Sequence, residues 1–108
     1  MDFAVIATDH DGRVTEWNVG AERILGWSVE AMRGELAERT FTPEDRAEGR
    51  PQAEMRRALE TGRASDERWH MRADGARFWA SGETRPLWDE DGAHLGFLKI
   101  LRDRTEQR

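Results

Sequence analysis

Residues 16–27 read EWNVGAERILGW, and their parsing decides the fold. Asn18 stands where a β-rich run gives way to apolar residues at helical spacing, Ala21, Ile24 and Leu25. Its side-chain oxygen suits a helix N-cap, where it accepts from an otherwise orphaned amide. Gly26 then stops the helix. Upstream, residues 3–18, FAVIATDHDGRVTEWN, carry an apolar run from Phe3 to Ala7, then Asp11-Gly12, then Val14 and Trp17. Asp-Gly between two such runs signals a hairpin, because a primed turn needs positive φ and glycine supplies it. Two strands, over 3–8 and 13–17, therefore precede the helix.

Downstream, short capped helices follow one another. Ser28 caps a helix in SVEAMRG that Gly34 closes, and Thr42 opens another with proline at the first helical position and an acid three residues after the cap. A longer helix is expected over 51–61, PQAEMRRALET, with Met55, Ala58 and Leu59 inward and Gly62 at its end. The rest reads as sheet: strand-like runs over 65–73, 76–88 and 94–103, separated by Asp-Gly at 74–75 and 91–92. The fold class is α+β: a single five-stranded antiparallel sheet with short helices inserted between strands two and three.

The 108 residues are expected to form one domain, with no internal repeat. Seventeen basic and twenty-two acidic residues leave a net charge of −5 without a dense basic run, which argues against nucleic acid and anionic membrane as partners. No apolar run approaches a membrane span and no leader opens the chain, so it is expected to be soluble and cytoplasmic. Without cysteine there is no disulfide, thiolate zinc site or cysteine nucleophile. Serines 28, 65 and 81 have no histidine at motif spacing, and no nucleophile elbow or phosphate-cradling loop is present, so the chain is not expected to be an enzyme. Asp9 and Asp11 in DHDG open like a calcium loop but lack further ligands and read as a turn. Asp66 and Glu67 read as acids of an exposed strand, and TPEDRAEGR as a solvated helix face or loop.

The element order, EWNVGAERILGW on the first helix, DGARFWA opening the fourth strand and RDRTEQ near the end together resemble a PAS domain, a sensory input module of bacterial-type sensor kinases and related signalling proteins. The resemblance covers the whole chain, 1–108. It implies that Trp17 ends the second strand, that Gly20 and Gly26 permit close approach of helix and sheet, and that Trp27 wedges the helical segment.

Some PAS domains carry cofactors, and the residues argue against each. Aligning the Gly-x-x-Cys pattern of the light-sensing flavin (LOV) members on GELAERT puts Ala37 at the cysteine and Leu36 at the preceding asparagine. The flavin-contacting asparagine and glutamine places hold Ala80 and Leu101, and a polar ligand needs matched polar groups. Trp69, Trp79 or Trp88 stacked on a flavin of another binding mode is the alternative. Haem-binding members place a histidine on the long helix, but residues 41–63 contain none, and Met55 alone is a weak axial candidate. His70 alternates with Arg68 and Arg72 and is expected on their solvated face.

No cofactor is therefore expected, but a small molecule could enter the core. Period-two alternation places Phe78, Ala80, Gly82 and Thr84 on one face of the fourth strand, which the resemblance turns toward the helices. Phe78, Ala80 and Gly82, with Leu101, Met55 and Leu59, are the candidate cavity lining; a filled core is the alternative. On the opposite face Trp69 and Trp79, with Leu98 or Ile100, are the candidate homodimer interface, the use to which PAS domains put this surface. The family's closing Asp-x-Thr falls on Asp103 and Thr105, implying an anchor that passes signal into a linker and a downstream effector, as in an excised input module. A sensory relay and a purely structural dimerisation module are thus the competing functions.

Overall fold

The computed structural model describes residues 2–105. Strand β1 (Ala4–Asp9) turns at Asp11-Gly12 into β2 (Val14–Trp17). Helices α1 (Val19–Leu25) and α2 (Val29–Met32), a 3-10 turn (Ala37–Thr40), α3 (Pro43–Ala47) and α4 (Arg50–Thr61) follow. The chain closes with the meander β3 (Ala64–Met71), β4 (Arg77–Trp88) and β5 (His94–Asp103). The sheet runs β2-β1-β5-β4-β3 with every pairing antiparallel, so first and last strands meet at its centre.

Local chemistry sets the helix ends. The side chains of Asn18, Ser28 and Thr42 accept from the amides of Ala21, Ala31 and Asp45. Asn18 Oδ1 also accepts from Val5 N at 2.9 Å, so one side chain caps α1 and stitches it to β1. Gly20 carries the close approach: a Cβ there would lie 1.9 Å from the Phe3 carbonyl oxygen. Gly26 ends α1 at φ 89°, a left-handed conformation that glycine adopts without penalty. Trp17 donates its indole N–H to the Trp27 carbonyl at 2.9 Å, which holds the segment after α1 against the sheet.

All the helices lie between β2 and β3 in the chain, and those that pack on the sheet cover one face. Beneath α1 and α2 the interior is apolar: Ala4, Ile6, Leu25, Met32, Phe78, Ala80 and Leu101 form one cluster. A smaller one, Ala58, Ala64 and Phe97 with Met55 against it, lies under α4.

Candidate functional site

The two clusters are joined by charge. Along β3 the positions facing the helices are Ala64, Asp66, Arg68 and His70; along β5 they are Phe97, Lys99 and Leu101. Helix α4 lowers Glu54 onto this row. Lys99 Nζ donates to Glu54 Oε1 at 3.0 Å, lies 3.9 Å from Asp66 Oδ2 and sits 4.3 Å above the Phe41 ring. Arg68 bridges Asp66 (3.0 Å) to Asp45 of α3 (3.2 Å). Gly82 on β4 makes the space, since a Cβ there would be 3.0 Å from Asp66 Oδ1 and 3.3 Å from Lys99 Cε.

Protons distribute unevenly in this network. Burial pushes the Glu54 carboxyl up to about 7, with Asp66 reinforcing the shift and Lys99 opposing it. Burial acts on Asp66 in the same upward sense, but Lys99, the hydrogen bond with Glu54, His70 and Arg68 outweigh it and hold Asp66 at about 2. Glu54 Oε1 accepts from both Lys99 and Thr84, whereas Glu54 Oε2 and Asp66 Oδ1 are buried without a donor. A proton on Glu54, shared with Asp66, relieves that deficit. Burial, then the Lys99 charge, depress His70 to about 3. Its Nδ1 lies 2.9 Å from the Thr40 carbonyl, which can only accept, so the neutral ring carries its proton there and turns a bare Nε2 toward Asp66, 3.9 Å away.

Beside this wall is a cavity of about 70 Å3. The 3-10 turn contributes Ala37 and Thr40, α4 contributes Pro51, Glu54 and Met55, and the sheet contributes Ile6, Thr8, Thr84, Phe97 and Lys99. Asp11, Glu38 and Gln52 also line it.

The expected lining divides. Met55 lies on the cavity. Leu59 does not: its side chain is 41% exposed on the outer side of α4, because Ala58 takes the inward position. Phe78, Ala80 and Leu101 are packed into the apolar cluster under α1, and Gly82 adjoins the charged row. Leu36 and Ala37, at the places where a light-sensing relative has asparagine and cysteine, line the cavity. His70 corrects its expectation: it does share a face with Arg68 and Arg72, but that face is covered and His70 is completely buried. Asp66 is likewise buried, its side chain 4% exposed, because Arg68 and Lys99 compensate its charge. The expected solvated stretch TPEDRAEGR sends Asp45 inward to Arg68, while Glu44 pairs with Arg77. Glu54, Thr84 and Lys99 went unremarked as a group, although Lys99 is the chain's single lysine, set inside an apolar strand.

The other expected sites lie apart from the cavity. On the far face of the sheet, Trp69 and Trp79 are cross-strand partners with rings edge to face at 5.3 Å, and Trp79 donates to Glu67 at 2.9 Å. Ile100 is exposed and Leu98 half-buried. At the exit of β5, Asp103 Oδ2 accepts from Arg72 Nη2 at 2.8 Å and Oδ1 accepts from Thr105 N at 2.9 Å. Burial would raise the Asp103 carboxyl, but these donors bring it below its usual range. Arg72 also donates to the Ile24 carbonyl and stacks 4.2 Å from the Phe78 ring centre. Thr105 Oγ1 accepts from Trp79 N at 3.3 Å, and Arg104 N donates to Trp79 O at 2.7 Å. The terminus is thereby tied to α1, β3 and β4.

A central β1–β5 pair, a covered inner face and a cavity under the long helix define a sensory-domain class. The chain belongs to the PAS fold family, whose model matches residues 1–108. PAS domains are sensory modules. Two-component system protein A of Emericella nidulans is 36% identical over 107 residues, which cover 99% of this chain and 16% of that protein. The chain thus spans about a sixth of the length of this relative. A PAS domain from Colwellia psychrerythraea superposes with a TM-score of 0.89 at 27% identity, covering 96% of this chain and 87% of that one. The Erythrobacter litoralis EL346 blue-light activated histidine kinase gives 0.79 at 22% identity, covering 97% and 34%, and shares the fold. Among the described residues no helix is long and apolar enough to cross a membrane, and no three His, Asp or Glu are grouped to hold a metal ion.

Proposed function

We propose that this chain is a non-enzymatic, cytoplasmic input domain of a two-component signalling protein of bacterial type, one that senses a small molecule in the cavity beneath α4. It passes the resulting strain through Asp103 to a downstream effector such as a histidine kinase. The observation that carries the reading is the exit anchor: Arg72 holds Asp103 from inside while touching both the end of α1 and Phe78, so movement of the helical layer reaches the outgoing chain. The 36% identity to a fungal two-component protein supports the class of parent and extends it beyond bacteria. The domain works without flavin or haem in this reading. The supporting features are Ala37, Ala80 and Leu101 at places where flavin-binding members carry reactive or polar groups, and a cavity of about 70 Å3, too small for an isoalloxazine ring system.

The far face of the sheet, around Trp69, Trp79, Leu98 and Ile100, is the proposed homodimer surface; the exposed Trp69 and Ile100 beside the half-buried Trp79 and Leu98 suit such a contact. The test is Asp103→Asn in the full-length parent protein. Kinase output should lose its response to stimulus while the isolated chain keeps its circular dichroism spectrum. Unchanged output in a variant that still folds would sink the relay.

A further inference from the structure

Helix α4 meets the sheet through two contacts of different kinds. Toward its C-terminal end Ala58 packs with Ala64 and Phe97, an apolar contact that no proton alters. One turn earlier, Glu54 is set among charges from every neighbouring element. β5 brings Lys99 Nζ to its Oε1 at 3.0 Å, β4 brings the Thr84 hydroxyl at 3.3 Å, and β3 brings Asp66, His70 and, 3.9 Å from Oε2, Arg68. From α3, Asp45 engages Arg68, and on the cavity wall the first hairpin and the 3-10 turn add the carboxylates of Asp11 and Glu38.

Charge balance fixes what this second contact tolerates. With a proton on Glu54, Lys99 and Arg68 offset Asp66 and Asp45, and the proton serves the buried Glu54 Oε2 and Asp66 Oδ1, which have no other donor. Without it, two carboxylates share one ammonium and the row holds an uncompensated negative charge. Asp11 and Glu38 then add like charge nearby in place of a counter-ion. Glu54 also lines the cavity of about 70 Å3, which exceeds the roughly 10–15 Å3 that one water needs, so its carboxyl can exchange a proton there.

The helix is also placed to respond. α3 is tied to the sheet by Asp45 on Arg68 and Glu44 on Arg77, whereas α4 is bounded by Gly49 at φ 74° and Gly62 at φ 93°, terminal positions that absorb backbone rotation. We infer that the Glu54 and Asp66 carboxyl pair is a proton-operated latch: protonated it holds α4 on the sheet, and ionised it lets α4 open between Gly49 and Gly62, so the proton is itself an input to this domain. Burial raises Glu54 from 4.5 to about 7 in the closed form, so the hold is full below 4.5 and lost as pH climbs to 7. His70 stands outside the latch, because Phe41 and the Thr40 carbonyl that cover it belong to the chain before α3.

This goes beyond the small-molecule reading and is tested apart from it. Amide hydrogen exchange of the 15N-labelled 108-residue chain at pH 5 and 6.5, each corrected for the intrinsic exchange rate, separates the latch from global stability. In that window Glu54 and His70 offset one another in global unfolding, so the amides of β1 and β5 should keep their protection within about threefold. Amides 54–61 of α4, which open with Glu54 alone, should lose about twentyfold as the pH rises. Glu54→Gln, whose carboxamide offers Asp66 an N–H at either pH, should hold the α4 protection constant; the wild-type contrast between α4 and the central strands stands even if that variant misfolds. Constant α4 protection in the wild type, a fall shared equally by β1 and β5, or a fall that survives in Glu54→Gln would each overturn the latch. None of these results touches the Asp103→Asn output assay, so the latch can fail while the relay stands, and the reverse.

Discussion

The same sheet face roofs two interiors of opposite character. Under α1 and α2, Ile6, Phe78, Ala80 and Leu101 fill the space with apolar contact and leave no polar side chain to satisfy. Under α3 and α4, β3 presents Asp66, Arg68 and His70 and β5 presents Lys99, and cohesion there depends on protons and counter-charges. The apolar end is built to stay put, since its burial free energy is indifferent to pH and to small ligands. The charged end holds the cavity and costs desolvation that only good pairing recovers. A sensory domain needs both, a rigid frame and a place where a small input alters the balance.

The contrast is open to direct attack. The largest effect is expected from Lys99→Met, which leaves Glu54 and Asp66 facing one another without their shared cation and should cost about 3–5 kcal/mol at pH 8. At pH 5 the loss should be smaller, because Glu54 then holds its proton. Leu101→Ala at the apolar end should cost about 3 kcal/mol at either pH. Urea denaturation of both variants at both pH values is the measurement, and a pH-independent Lys99→Met cost would erase the distinction.

A second prediction concerns slopes. Glu54 rises from 4.5 to about 7 on folding, so its contribution is full below 4.5 and lost as pH climbs to 7. His70 falls from 6.5 to about 3, so its contribution is full above 6.5 and lost as pH drops toward 3. Between 4.5 and 6.5 the two oppose one another, and wild-type stability should be nearly flat. Glu54→Gln should unmask a loss of about 1.4 kcal/mol per unit of acidification in that window, and His70→Asn a gain of about the same size. Parallel profiles in wild type and both variants would show that neither group titrates as the network requires.

The smallest change is expected from Gly82→Ala, whose methyl presses on Asp66 and Lys99: about 1–2 kcal/mol, with the Glu54 titration displaced. Thermal melts at pH 6 and 8 would detect it, and a neutral result would mean that the charged row has slack.

Much of this was legible in the sequence where chemistry is local. The caps at Asn18, Ser28 and Thr42 and the three Asp-Gly turns need only adjacent residues, and strand and helix bounds fall within about two residues of those expected. Strand β3 resisted for a physical reason. Period two assigns Asp66, Arg68 and His70 to one face but does not say which face is covered, and charge argues for the wrong answer. What covers them, Asp45, Glu54 and Lys99, comes from other elements; Asp45 is 23 residues from the Arg68 it meets. Leu59 erred in the opposite sense, since helical spacing allowed it inward until Ala58 took the position. The signal that was available was Lys99: one lysine against sixteen arginines, on an inward position between Phe97 and Leu101.

That solitary lysine makes the chain its own reporter. Its single ε-amine lies behind α4 and against Phe41, out of reach while the charged end is closed, and the bond after it is the one Lys-C site in the sequence. Cleavage after residue 99 therefore registers the opening of β5 from the helical layer without any introduced label.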